Sequence, residues 1–145
     1  MKHTIGEKLA WTFGLAALSM PLLAHHGDAG RFAEQTRTLS GTVVAVQLVN
    51  PHASILFEVE GDDGTKVTWQ AELGSPKQLS TNFGWTRTTL QTGTHISVTG
   101  RPLKSGSPYI NLTERARIVL ADNCKEIYHS TTLPEEPISC ETTGS

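Results

Sequence analysis

Between Leu39 and Leu73 the chain carries three β-branched segments in quick succession, each closed by a turn signal. That cadence, more than any single motif, limits what it can fold into. Leu39–Val49 is rich in valine and stops at Asn50-Pro51. In Ala53–Glu60, Ile55, Phe57 and Val59 alternate with Ser54, Leu56 and Glu58, and Gly61-Asp62-Asp63-Gly64 follows as a hairpin loop. In Lys66–Leu73, Val67, Trp69, Ala71 and Leu73 share one face. Period-two alternation of this kind marks half-buried strands.

The pattern then changes. Ser75 before Pro76 predicts a helix N-cap with proline at the first helical position, and a short helix to about Thr81. Trp85–Leu90 reads as a brief turn or helix. His95–Gly100 is a fourth strand with Ile96 and Val98 inward, stopped at Arg101-Pro102. Tyr109–Leu112 adds a short strand piece. Glu114–Leu120 is the last strand, with Ala116, Ile118 and Leu120 set against Arg115, Arg117 and Val119. Three strands, a helix and two or three more strands match a mainly β protein, a small OB-like Greek-key barrel of five to six strands with one short helix between strands 3 and 4. An immunoglobulin-like sandwich is the competing architecture, but it wants about seven strands.

Upstream of the barrel, Lys2 and Lys8 precede a mostly apolar stretch, Leu9–Leu23, that ends at Ala24. Positive start, apolar middle and small terminal residue make residues 1–24 a signal peptide. The run is short and rich in Ala and Gly for a membrane span, which takes about 20 consistently apolar residues; an uncleaved anchor is the alternative. Residues 25–38 read as an N-terminal arm, 39–121 as the barrel domain, and 122–145 as a C-terminal tail. The whole chain has 12 Lys and Arg against 14 Asp and Glu. Lys2, Lys8 and Glu7 leave with the signal, so the remainder is net acidic. Such a balance offers no footprint for nucleic acid and no polybasic membrane patch. The expected location is periplasmic or secreted, without stable membrane insertion after cleavage.

Cys124 and Cys140 are the two cysteines. In an oxidising compartment an isolated pair is most simply a disulfide, and closing a loop of roughly 15 residues is worth ~3 kcal/mol. A redox role fits poorly, because the spacing is not C-x-x-C.

Cleavage after Ala24 would leave His25 first. Its α-amine, its imidazole and the His26 imidazole would then form a copper-seeking set, with His52 as the ligand from elsewhere. Cleavage before Ala24 would instead put His26 third, the position that binds copper or nickel in a square plane. The competing reading is that the histidine pair keeps the cleavage junction solvated, and that His52 makes one structural hydrogen bond in the second strand. Copper is the one cofactor the pattern suggests.

Asn50, Glu72, Trp85 and Arg87 form a candidate patch for a ligand or protein partner. Each has a plainer role: Asn50 in its turn, Glu72 paired with Arg87 or capping the helix, Trp85 packed under the helix. Glu72 is also placed to support a ligating imidazole. His95 and His129 look incidental. No nucleophile elbow, phosphate loop or paired-carboxylate motif is present, so the chain does not read as an enzyme.

Taken in order, several strings carry a resemblance: His25-His26, Gly41-Thr42-Val43, Asn50-Pro51-His52, Trp69-Gln70-Ala71-Glu72-Leu73-Gly74-Ser75-Pro76, and Gly84-Trp85-Thr86-Arg87 with Leu90 and Gly93. Together they closely resemble the small exported bacterial proteins catalogued as domain of unknown function 6152, over about His25 to Leu120. Members generally carry Ser after the histidine pair, where this chain has Gly27. The resemblance implies an OB-like barrel outside the cytoplasm and implies no activity. The reading is therefore an exported β-barrel binding or accessory protein that engages a small ligand or a periplasmic protein partner, with copper binding through His25, His26 and His52 as the alternative.

Overall fold

The structure is a computed structural model that describes residues 30–130. The expectations for residues 1–24, for His25 and His26, and for Cys140 lie outside the described residues.

Seven strands and one helix follow in order: β1 (Arg37–Gln47), β2 (Ser54–Glu60), β3 (Lys66–Glu72), α1 (Pro76–Phe83), β4 (His95–Pro102), β5 (Tyr109–Asn111), β6 (Arg117–Leu120) and β7 (Glu126–His129). The sheet order is β1-β2-β3-β5-β4, and β4 returns to pair with β1. That closes a five-stranded barrel, with β6 and β7 added beside β4. The β1–β2, β2–β3, β1–β4, β4–β5, β4–β6 and β6–β7 pairs are antiparallel, whereas β3 and β5 run parallel, Gln70 beside Tyr109 and Glu72 beside Asn111. The expected OB-like barrel is observed, with the one short helix between β3 and β4.

The alternation in sequence becomes the barrel interior. Ile55, Phe57, Ala71, Leu73, Ile96, Val98, Ile110 and Ile118 are all buried. Val67 departs from its expected inward position and is 41% exposed, at the open end of β3. Closure bends β1 sharply. Its register shifts between Val43 and Ala45, and a Cβ at Gly41 would collide with the Glu58 carbonyl oxygen. A bulge and a glycine are the usual means of turning a strand around a small barrel.

Helix α1 starts as its sequence dictates: the Ser75 side chain accepts from Gln78 N at 3.2 Å, and Pro76 needs no donor partner. It ends at Gly84, whose φ of 67° is the left-handed cap conformation.

Two segments differ from the reading of the sequence. Beyond Asn111 the chain leaves β4 for five residues before resuming the pairing at Arg117, opposite Thr99. Gly100 faces this excursion, and a Cβ there would lie 2.5 Å from Leu112 Cδ2. The segment expected as tail begins with β7, whose Tyr128 hydroxyl donates to Leu112 O at 2.6 Å and whose neighbour Ser130 exchanges bonds with Ala116. Four residues carry too little alternation to announce a strand. A second register shift, between Ile118 and Val119, accompanies the burial of Val119 on the side expected to face outward.

Candidate functional site

The turn between β1 and β2 contains a cis Asn50–Pro51 bond and presents His52 at the barrel rim. Two backbone bonds anchor it: Ala53 N donates to Gly74 O at 3.0 Å and Leu73 N to Ala53 O at 2.9 Å. Those bonds bring His52 beside the end of β3. There His52 Nδ1 lies 3.0 Å from Glu72 Oε1. The other carboxylate oxygen, Oε2, accepts from the Tyr109 hydroxyl. Parallel pairing of β3 with β5 supplies the tyrosine, and Leu112 N closes onto Glu72 O at 2.8 Å.

A carboxylate can only accept, so in the neutral ring the His52 proton resides on Nδ1 and the Nε2 lone pair is left free. The His52 side chain is 54% exposed while Glu72 is 26% exposed, which makes the imidazole the presented group and the carboxylate its support. This is the arrangement that orients ligating or hydrogen-bonding imidazoles elsewhere.

The N-terminal arm also reaches this cluster. Phe32, expected within a non-core arm, is 5% exposed and bridges to Leu103. Its ring stacks on that of Tyr109, with centroids 6.1 Å apart. Arg101 holds the same segment through Ala33 O at 2.9 Å and an ion pair to Glu34, while also pairing with Glu114 at 3.0 Å. A continuous line of contacts therefore runs Phe32, Tyr109, Glu72, His52.

The remaining candidates separate. Asn50 is exposed in the same turn as His52. Glu72 turns to His52 and Tyr109, not to Arg87 and not to the helix, whose cap is Ser75. Arg87 is exposed in the turn after α1 and makes no ion pair among the described residues. Trp85 is 4% exposed and its indole Nε1 donates to Ile127 O at 2.7 Å, so it belongs to the core and not to a surface patch. A patch joining all four does not form. His95 bonds Thr42 at 3.1 Å, and His129 sits 2.8 Å from Glu126, which also pairs with Arg117 at 2.6 Å. Cys124, at φ 58°, occupies the turn before β7. Among the described residues no three His, Cys, Asp or Glu side chains group to hold a metal ion.

Tyr109 is the residue that reading the sequence missed. Its signal was topological: an OB-like order sets the fifth strand alongside the third, and hence Tyr109 and Asn111 beside Gln70 and Glu72.

The model of the family of unknown function DUF6152 matches residues 12–110. The chain belongs to that family. The matched span includes His52, Glu72 and Tyr109 and ends within β5, before β6 and β7. No curated protein and no solved structure matches the chain significantly. No helix among the described residues is long and apolar enough to cross a membrane.

Proposed function

We propose that this family member is an exported binding or accessory protein that meets a small ligand or a periplasmic protein partner at the rim around His52. The observation carrying this reading is Glu72, which holds His52 and Tyr109 from opposite oxygens and leaves the imidazole exposed. Export is supported by the leader pattern in residues 1–24 and by the Cys124 and Cys140 pair, which suits an oxidising compartment. Photo-crosslinking in cells tests it, with a benzophenone side chain at position 50 and a control at position 62, at the opposite end of β2. Adducts at position 50 alone support the reading, and their mass separates a protein partner from a small ligand. Equal yields at both positions contradict it.

A second reading is copper binding by His25, His26 and His52. Two observations favour it: the free Nε2 of His52, and the docking of Phe32 on Tyr109. Phe32 follows His26 by six positions in the sequence, and its docking on Tyr109 ties the start of the described chain to the cluster that holds His52. N-terminal mass mapping of the exported protein followed by Cu(II) titration tests this. A chain starting at His25 whose sub-micromolar copper binding falls with His52→Ala supports it; copper binding unaffected by His52→Ala removes His52 from the site.

A further inference from the structure

Strand edges that a small barrel leaves open are normally guarded by charge or by a covering side chain. β3 is open before Gln70, where its pairing with β5 begins, and that stretch starts at Lys66 opposite Glu60. β7, last in the sheet, carries Glu126 and His129, and its Ile127 carbonyl accepts the Trp85 indole. The second half of β1 has no such guard. From Thr38 to Phe57 the chain contains no Lys, Arg, Asp or Glu.

β1 changes partners along its length. Arg37–Thr42 pairs with β4, and Thr42–Gln47 pairs with β2. Just beyond Thr42 the turn before β4 covers the other side. Val43 N donates to Thr94 O at 2.9 Å, Gly93 N to Val43 O at 2.8 Å, and the Thr92 hydroxyl to Val44 O at 2.9 Å. That cover stops at Val44. In an antiparallel ladder, successive residues turn their backbone groups to opposite sides. Ala53 bonds toward β3, so Ser54 and Leu56 bond toward β1 and meet their partners Gln47 and Ala45. Val46, between those two, turns its N–H and C=O to the open side. Among the described residues no strand pairs with it there.

The surface along this edge is apolar. Val44 is 40% exposed and Val49 57% exposed, while Val46 and Leu48 are half-buried against the core. An open edge offers its backbone to an added strand, and the residues brought opposite decide which strand fits. This edge complements itself. Antiparallel pairing of two copies about a two-fold axis at Gln47 sets Val46 opposite Leu48 of the second copy, and Ala45 opposite its Val49. Apolar meets apolar, the central pair is amide against amide, and no charge meets a like charge. Val44 lies outside that ladder, so the Thr92 cover need not move.

We infer that two copies of this chain associate edge to edge along β1, with Ala45–Val49 of each running antiparallel to the other. The edge supplies five residues a side. A standard interface has roughly 20–30, so the association is weak, with a Kd of about micromolar or above. Glu72 takes no part in it, and the inference stands apart from the rim-binding reading.

Sedimentation velocity of the exported chain from low micromolar to millimolar concentration tests this, with hydrogen exchange at the Val46 amide followed by NMR over the same range. A monomer that becomes a dimer as concentration rises, while Val46 exchange slows, supports the inference. Gln47→Glu keeps an acceptor for the Ser54 hydroxyl but sets two carboxylates face to face on the axis. It should weaken the dimer severalfold, with the melting temperature of the dilute chain unchanged. Val67→Glu, at the exposed end of β3, should leave the dimer intact. A monomer at every concentration overturns the inference, and so does a dimer in which Val46 exchange does not slow. Asn50 directly follows this edge, so position-50 adducts of twice the chain mass support the dimer. Adducts of another mass on a chain that stays monomeric overturn the dimer and keep the rim.

Discussion

Glu72 Oε1 sits 3.0 Å from His52 Nδ1, across the junction where the β1–β2 turn meets the end of β3. The other carboxylate oxygen accepts from the Tyr109 hydroxyl, which the parallel β3–β5 pairing brings alongside, so one side chain joins the β1–β2 turn to β5.

Removing the charge while keeping the shape should release the imidazole. In Glu72→Gln the amide can present either a donor or an acceptor to Nδ1, so the ring loses its single tautomer. Long-range proton–nitrogen spectra should show His52 as Nδ1–H in the native chain and as a mixture in the variant. Stability should fall by about 1 kcal/mol, the net worth of an exchanged hydrogen bond. An unchanged tautomer would mean that Glu72 does not orient the ring.

Trp85 carries a structural prediction. Trp85→Phe keeps most of the buried volume but leaves the Ile127 carbonyl without its indole donor. A loss of about 1–3 kcal/mol is expected, and hydrogen exchange should quicken in β7 before it does in β2. Equilibrium denaturation with exchange mass spectrometry reads both.

Gly100→Ala should destabilise by about 1–3 kcal/mol, because the added methyl lies 2.7 Å from Asn111 O and against Leu112. The contrast is Gly30→Ala, where a Cβ meets nothing within 4 Å and thermal stability should stay unchanged.

Burial pushes the Tyr128 phenol above its ordinary value of 10.0. The folded state therefore favours the neutral form. Its contribution is complete below about pH 10 and is lost as pH rises through the folded pKa, because the unfolded chain ionises first. Denaturation midpoints should hold to about pH 10 and then fall. Tyr128→Phe should be less stable at pH 7, with Leu112 O left unbonded, and should show a shallower alkaline decline.

Much of the barrel was legible because its signals are local. Alternating residues in β2 and β3, the Ser75-Pro76 cap and the Arg101-Pro102 stop each fix a boundary within a few residues. What was hidden depends on register and distance. Phe32 is buried by a partner 71 positions away in sequence, Leu103. Val119 is buried beside a register shift that period-two reading does not foresee. At the site, His52 and Glu72 were both visible as candidates, yet their pairing required the turn at Ala53 to close on Leu73 and Gly74. Tyr109 joined them only through a parallel strand pair, which no local pattern announces. Arg87, close in sequence to Trp85, shares no contact with that cluster.

The central claim is that the rim around His52 is where this protein meets its ligand, and that Glu72 makes it competent. The most direct measurement is the yield of photo-crosslinked adduct from position 50 in cells, compared between the native chain and Glu72→Ala at equal folded protein. The account predicts a clear adduct in the native chain that falls severalfold in the variant. An adduct of equal yield in both would contradict it.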